Sequence, residues 1–351
     1  MKRSTCGLFA GAMAALATSL SLPSVRAKPN EDWARCLSIE KIPSAERILS
    51  CTAALASGTD SWASSRAYFL RGQAHFDEQN FEAAIADVSQ FLHSYPSDVQ
   101  GLQARAAAYF RQRNFDLAIA DYTRVIEIEP KGPFAYAYRG EAYQAKGDLD
   151  RGIADYSKAI EIDPENKSAY TGRAVAHRLK GELDLAIADH DQVIRLDPQS
   201  ALAYFGRAMV HWLSGALSQS LADFEQAGRL NPKSAYAALW REIVARRSDR
   251  PSRLAEATTQ LDMTKWPAPI INLFLGALTP EQVLSAADDS DPTRRKGQVC
   301  EANFYTAEFG LQRGAKEDVR RSLELAAADC PKYFVEGWAA TAELKALSAN
   351  P

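Results

Sequence analysis

After its first 27 residues the sequence has no stretch approaching eighteen consecutive apolar residues, so no transmembrane segment is expected in the chain that follows. It has no surplus of positive charge: 41 Lys and Arg stand against 44 Asp and Glu. That balance does not favour nucleic acid, which selects basic surfaces. Catalytic signatures are missing too. There is no H-E-x-x-H, no G-x-S-x-G, no phosphate-binding glycine loop, and no G-x-G-x-x-G after a strand, because no convincing strand pattern is present. No two of the five cysteines have the C-x-x-C spacing of a zinc site. No cofactor, no metal and no enzymatic activity are expected.

What is present begins with a leader. Lys2 and Arg3 precede an apolar run from Gly7 to Leu22, and Val25-Arg26-Ala27 offers a small-residue cleavage site, the pattern of a secretory signal. Cys6, directly behind Arg3-Ser4-Thr5, stands too early for a lipoprotein acylation box. A soluble exported product starting at Lys28 is the expectation. Removal of the leader takes Lys2, Arg3 and Arg26 and no acidic residue, leaving 38 basic against 44 acidic residues and a net charge of −6. Four cysteines remain, one close pair near each end. Cys36 with Cys51 and Cys300 with Cys330 suit disulfides in an oxidising compartment, and buried free thiols are the alternative.

Internal repetition dominates everything after residue 64. Prolines stand at 96, 130, 164, 198 and 232, an unbroken 34-residue step. With Pro at about 5% of positions, chance gives such a run on the order of 10⁻⁵. The units are 65–98, 99–132, 133–166, 167–200 and 201–234. Each has an aromatic residue or Leu at its fourth place (Tyr68, Leu102, Tyr136, Tyr170, Tyr204) and Gly or Ala at its eighth (Gly72, Ala106, Gly140, Ala174, Ala208). In the third unit "PFAYAYRGEAYQA" reads as a helix opened by Pro133, "KGDLD" as a turn through Gly147, and "DRGIADYSKAIEI" as a second helix. Two short helices cannot bury their apolar faces alone, so units must stack. These features resemble the tetratricopeptide repeat (TPR). The resemblance implies an all-α fold, a right-handed solenoid of antiparallel helix pairs, built for protein–protein interaction.

Arg71, Arg105, Arg139, Arg173 and Arg207 hold the seventh place of every unit, and Asp87, Asp121, Asp155, Asp189 and Asp223 the twenty-third. Places seven and twenty-three are equally far from the turn, so a guanidinium–carboxylate pair is expected within each unit or across adjacent ones. Five-fold repetition makes this a structural device that sets register. The histidines read as ring-for-ring exchanges. His75, His177 and His211 stand where other units have Tyr109 and Tyr143, and His190 where they have Tyr122 and Tyr156.

The TPR resemblance implies that places two, five, nine and twelve of each first helix line the concave face. Phe110, Phe134 and Arg178 fall among these places, and in the fifth unit all four turn apolar: Leu202, Phe205, Met209, Trp212. Such a surface suits a peptide or helix. The alternative is that the tail, especially "PIINLFLG" at 269–276, folds back over it.

The expected organisation is a leader at 1–27, a capping hairpin at 28–64, five repeats over 65–234, degenerate repeats over 235–299, and a last unit with a closing helix over 300–351. In the tail, "FLGALTPEQVL", "CEANFYTAEFGLQRG" and "FVEGWAATAELKAL" resemble the C-terminal part of the "new lipoprotein I" type of bacterial TPR protein. That family consists of envelope adaptors which bring peptidoglycan hydrolases and a periplasmic protease together; its members are lipid-anchored and can dimerise. The resemblance implies a periplasmic scaffold with protein partners in the cell envelope and a homodimer as one assembly. The acylation cysteine of the family is absent here. A chaperone or regulator of exported, unfolded polypeptides is the alternative.

Overall fold

The structure, a computed structural model, describes residues 29–38, 42–58, 61–331 and 334–349, so the leader expected at 1–27 lies outside the described residues. Among those described there are nineteen helices and no strand. In chain order they are α1 (Pro29–Cys36), α2 (Ser44–Ser57), α3 (Ser61–Asp77), α4 (Phe81–Ser94), α5 (Val99–Arg111), α6 (Phe115–Ile128), α7 (Pro133–Lys146), α8 (Leu149–Ile162), α9 (Lys167–Lys180) and α10 (Leu183–Leu196). Then come α11 (Ala201–Leu213), α12 (Leu217–Leu230), α13 (Ala235–Arg247), α14 (Leu254–Ala257), α15 (Ala268–Phe274), α16 (Pro280–Ala286), α17 (Pro292–Leu311), α18 (Lys316–Asp329) and α19 (Val335–Ala349). The fold is an all-α solenoid of consecutive helix pairs. Boundaries drawn at 64/65 and 299/300 fall inside α3 and α17, because the repeat frame marks where a motif starts and not where a helix does.

Local chemistry sets the ends of these helices. The side chains of Asn80, Asp148, Asn166, Ser200 and Ser234 each accept a hydrogen bond from the backbone N–H three residues on, which satisfies one donor of the first turn. At the other end of the first helices, Gly147, Gly181 and Gly215 take positive φ, the left-handed conformation that stops the helix.

The chain divides within α5 into two compact units, one up to Ala104 and one from Arg105. In the first, α1 and α2 form a hairpin with Cys36 and Cys51 at disulfide distance, their Cα atoms 4.6 Å apart. Ala54 and Ala67 close the core beside them, and α3 pairs with α4.

In the second, α7 pairs with α8, α9 with α10 and α11 with α12, and each pair packs on the helix before it. Small residues let the partners approach. A Cβ on Gly140 would come 3.1 Å from the carbonyl oxygen of Gly152, and one on Gly152 equally close to that of Gly140. Beyond α12 the periodic pairing lapses. Helix α13 is buried on most sides, α14 to α16 are short, and α17 to α19 complete one large apolar core with α11, α12 and α13. Cys300 and Cys330 are also at disulfide distance, tying α17 to the end of α18 with Cα atoms 5.0 Å apart.

Candidate functional site

The repeated arginines form a ladder. Each donates from Nε and Nη2 to the two carboxylate oxygens of the aspartate sixteen residues on, at 2.7 Å for Arg71–Asp87 and between 2.7 and 2.9 Å for Arg105–Asp121, Arg139–Asp155, Arg173–Asp189 and Arg207–Asp223. Two parallel bonds fix the plane of the guanidinium as well as its position. The third nitrogen then reaches back to the preceding unit: Arg139 to Thr123 at 3.1 Å, Arg173 to Ser157 at 2.9 Å, Arg207 to Asp191 at 2.5 Å. Each of these rungs therefore joins its own helix pair and locks that pair to its neighbour. The acceptor at the twenty-fifth place is not part of the sequence expectation, although an oxygen-bearing side chain recurs there as Ser89, Thr123, Ser157, Asp191 and Glu225.

A sixth arginine continues the ladder. Arg241 on α13 donates to Glu225 at 3.2 Å, but Ala257 stands where its aspartate belongs, and its Nη1 is buried without a hydrogen-bond partner.

The places on the first helices that the TPR resemblance assigns to a concave face are part open and part filled. Phe134 at the start of α7 is 61% exposed and Leu202 at the start of α11 is 84% exposed. Phe110 is half-buried, with its ring 5.5 Å from that of Phe115. Phe205 is half-buried too, edge-on to Phe224 at 5.3 Å.

Met209 and Trp212 are not open to a partner. They are 3% and 6% exposed, and they share one core with Trp240 of α13, with Ile270, Ile271 and Phe274 of α15, and with Phe304 and Tyr305 of α17. Trp212 stands edge-on to Trp240 at 5.3 Å, and Trp240 packs against Phe304 at 5.4 Å. Of the two readings of the fifth-unit stripe, an open docking surface or one covered by the tail, these two residues follow the second. The tail buries the Met209 and Trp212 end of the stripe, leaving Leu202 open, and the segment 269–276 supplies part of the cover. Arg178 is covered by the same tail: its guanidinium lies 4.1 Å from the centroid of the Trp338 ring of α19, and burial lowers its pKa to about 10.

Family models described as tetratricopeptide repeat match at residues 133–166 and, with a second model, at 52–99, 69–136 and 185–235. The chain carries tetratricopeptide repeats. Among solved structures, a tetratricopeptide repeat protein from Parabacteroides merdae is 18% identical, covering 67% of this chain and 91% of its own at a TM-score of 0.52, a likeness of fold. The protein MamA is 20% identical over 49% of this chain and 94% of its own, with a TM-score of 0.44. YrrB, described as a TPR protein with an unusual peptide-binding site, is 15% identical over 49% of this chain and 88% of its own, with a TM-score of 0.41. No curated protein matches the chain.

The TPR histidines divide by environment. His177 meets Glu182 through Nδ1 at 2.6 Å, and His75 and His211 lie 3.9 and 3.8 Å from the ladder carboxylates Asp87 and Asp223. His190 is buried, with Nδ1 lacking a hydrogen-bond partner, and burial, reinforced by the Arg178 charge, lowers its pKa to about 4. Its ring occupies the space above Gly206, where a Cβ would come within 2.4 Å of it. Among the described residues, no group of three or more His, Cys, Asp or Glu is placed to hold a metal ion, and no helix is long and apolar enough to cross a membrane.

Proposed function

We propose that this TPR protein is a non-enzymatic adaptor of the bacterial cell envelope, working in the periplasm after export. Its partners are envelope proteins, with peptidoglycan hydrolases or proteases the class favoured by the resemblance of its tail. TPR proteins bind proteins and peptides, and the observation that carries the reading here is the exposed apolar row at the starts of α7 and α11, Phe134 and Leu202. Large side chains left in water at matching places of a stacked scaffold favour a docking role. The leader and the two cysteine pairs at disulfide distance support the compartment.

Affinity capture of the mature protein from envelope extracts, beside a Phe134→Ala/Leu202→Ala variant, tests the reading. The variant should fold normally and lose the partner that the native protein retains. Equal recovery by both proteins would place the binding surface elsewhere.

A further inference from the structure

Helices α13, α17 and α19 are joined by two polar layers buried within the apolar core of the tail. In one layer Arg247 of α13 donates to Glu308 of α17 at 2.6 and 2.9 Å and to Glu343 of α19 at 2.8 Å. The other layer lies two helical turns away, since Glu301 precedes Glu308 by seven residues and Glu336 precedes Glu343 by seven. Its composition differs. Glu301 accepts from the Tyr236 hydroxyl at 2.9 and 3.0 Å and from the Trp266 indole N–H at 2.5 Å, and Glu336 accepts from the Tyr305 hydroxyl at 2.9 Å. The Trp240 indole N–H faces Glu336 without closing a hydrogen bond.

Two carboxyl groups, 5% and 4% exposed, thus meet in a layer whose described partners are neutral donors, with no cation among the described residues. The charged groups facing α19 lie elsewhere: Arg178 of α9 over Trp338, and Arg247 with Glu308 in the other layer. Of the described side chains of α18, Val319, Leu323 and Ala326 are buried, and Arg320, Arg321, Glu324 and Asp329 are exposed. An ionised carboxylate in such a place has no counter-charge to offset its desolvation, and two of them repel.

We propose that the layer of Glu301 and Glu336 is a proton-operated latch: while protonated it holds α19 against α17, and on ionisation it releases α19 and uncovers Arg178, which Trp338 now covers. Burial, with Glu336 adding to it, pushes the Glu301 carboxyl up to about 7, and burial raises that of Glu336 as well. The sign follows from the raised value. The latch is fully closed below the ordinary carboxylate range and weakens as pH rises through about 7. It does not depend on the partner that the open face near Phe134 binds.

Hydrogen exchange of the full chain between about pH 5.5 and 8.5, corrected for the intrinsic pH dependence of exchange, tests the latch. Protection across α19 should fall about tenfold or more over that range while α7 and α8 stay protected. In Glu301→Gln and Glu336→Gln most of that fall should disappear, because the amide keeps an acceptor and cannot ionise. Protection of native α19 that does not change with pH, or an equal fall in both variants, would overturn the latch. If the variants do not fold, the infrared band of protonated carboxyl in the native chain decides. Its loss in step with α19 protection supports the latch; its absence at about pH 6 refutes it.

Discussion

At the fifteenth place of the repeat, three units have glycine and two do not, yet the backbone is the same. Gln79 and Arg113 have φ of 60° and 64°, beside 95°, 78° and 76° at Gly147, Gly181 and Gly215. A left-handed residue with a Cβ is strained by about 1–2 kcal/mol, and glycine loses about half of that gain to its greater freedom when unfolded. Gln79→Gly at this exposed turn should therefore raise stability by about 0.5–1 kcal/mol, read from the urea midpoint at unchanged slope. The turn was legible where glycine stands and hidden where it does not. The ladder was more open to reading, because its two members recur at places equidistant from the turn. Its third acceptor was missed because Ser, Thr, Asp and Glu share an oxygen but no single identity. Asp155→Ala should cost about 2–3 kcal/mol, since it strands the Arg139 guanidinium among largely buried neighbours. Thr123→Ala should cost less than about 1 kcal/mol, because the charge pair survives.

Between elements, rings and missing side chains fit together. The His190 ring on α10 fills the notch at Gly206 of α11, and the Tyr156 ring on α8 fills the notch at Gly172 of α9, each 2.4 Å from where a Cβ would stand. Gly206→Ala should cost about 1–3 kcal/mol, and most of that penalty should vanish in a His190→Ala background. A double-mutant cycle by chemical denaturation measures the coupling. Helix pairs were legible through the 34-residue period because each presents a stripe that its neighbour must cover. The cover over Met209 and Trp212 was harder to read. Helix α13 buries Leu239, Trp240, Ile243, Val244 and Ala245, residues that run around the helix and point to no one side. Apolar residues spread around a helix, here interrupted by charges that find ion-pair partners, are the signal for a helix covered on more than one side.

In the molecule as a whole, two sets of buried groups impose opposite pH slopes on stability. His190 gains its proton more readily when unfolded, so its contribution is present above about 6.5 and is lost as pH falls toward about 4. Glu301 holds its proton more tightly when folded, so its contribution is present below the ordinary carboxylate value and is lost as pH rises through about 7. The two partly cancel in the native chain. Relative to the native chain, His190→Phe should tilt the pH dependence of stability toward a fall as pH rises through this interval, and Glu301→Gln should tilt it toward a rise. Denaturant midpoints at a series of pH values distinguish the two, and changes of slope of the reverse sign would contradict both assignments. The contact between Arg178 and Trp338 has a further consequence, for repeat number. A unit of 34 residues duplicated ahead of Pro133 would leave α9, α11, α13 and the tail in their present register. The same duplication between Ser200 and Ala201 would insert a helix pair between Arg178 and the core around Trp212, and α19 could then keep only one of its two anchors. Growth of the array is thus open on the leading side of the third unit and closed beyond the fourth.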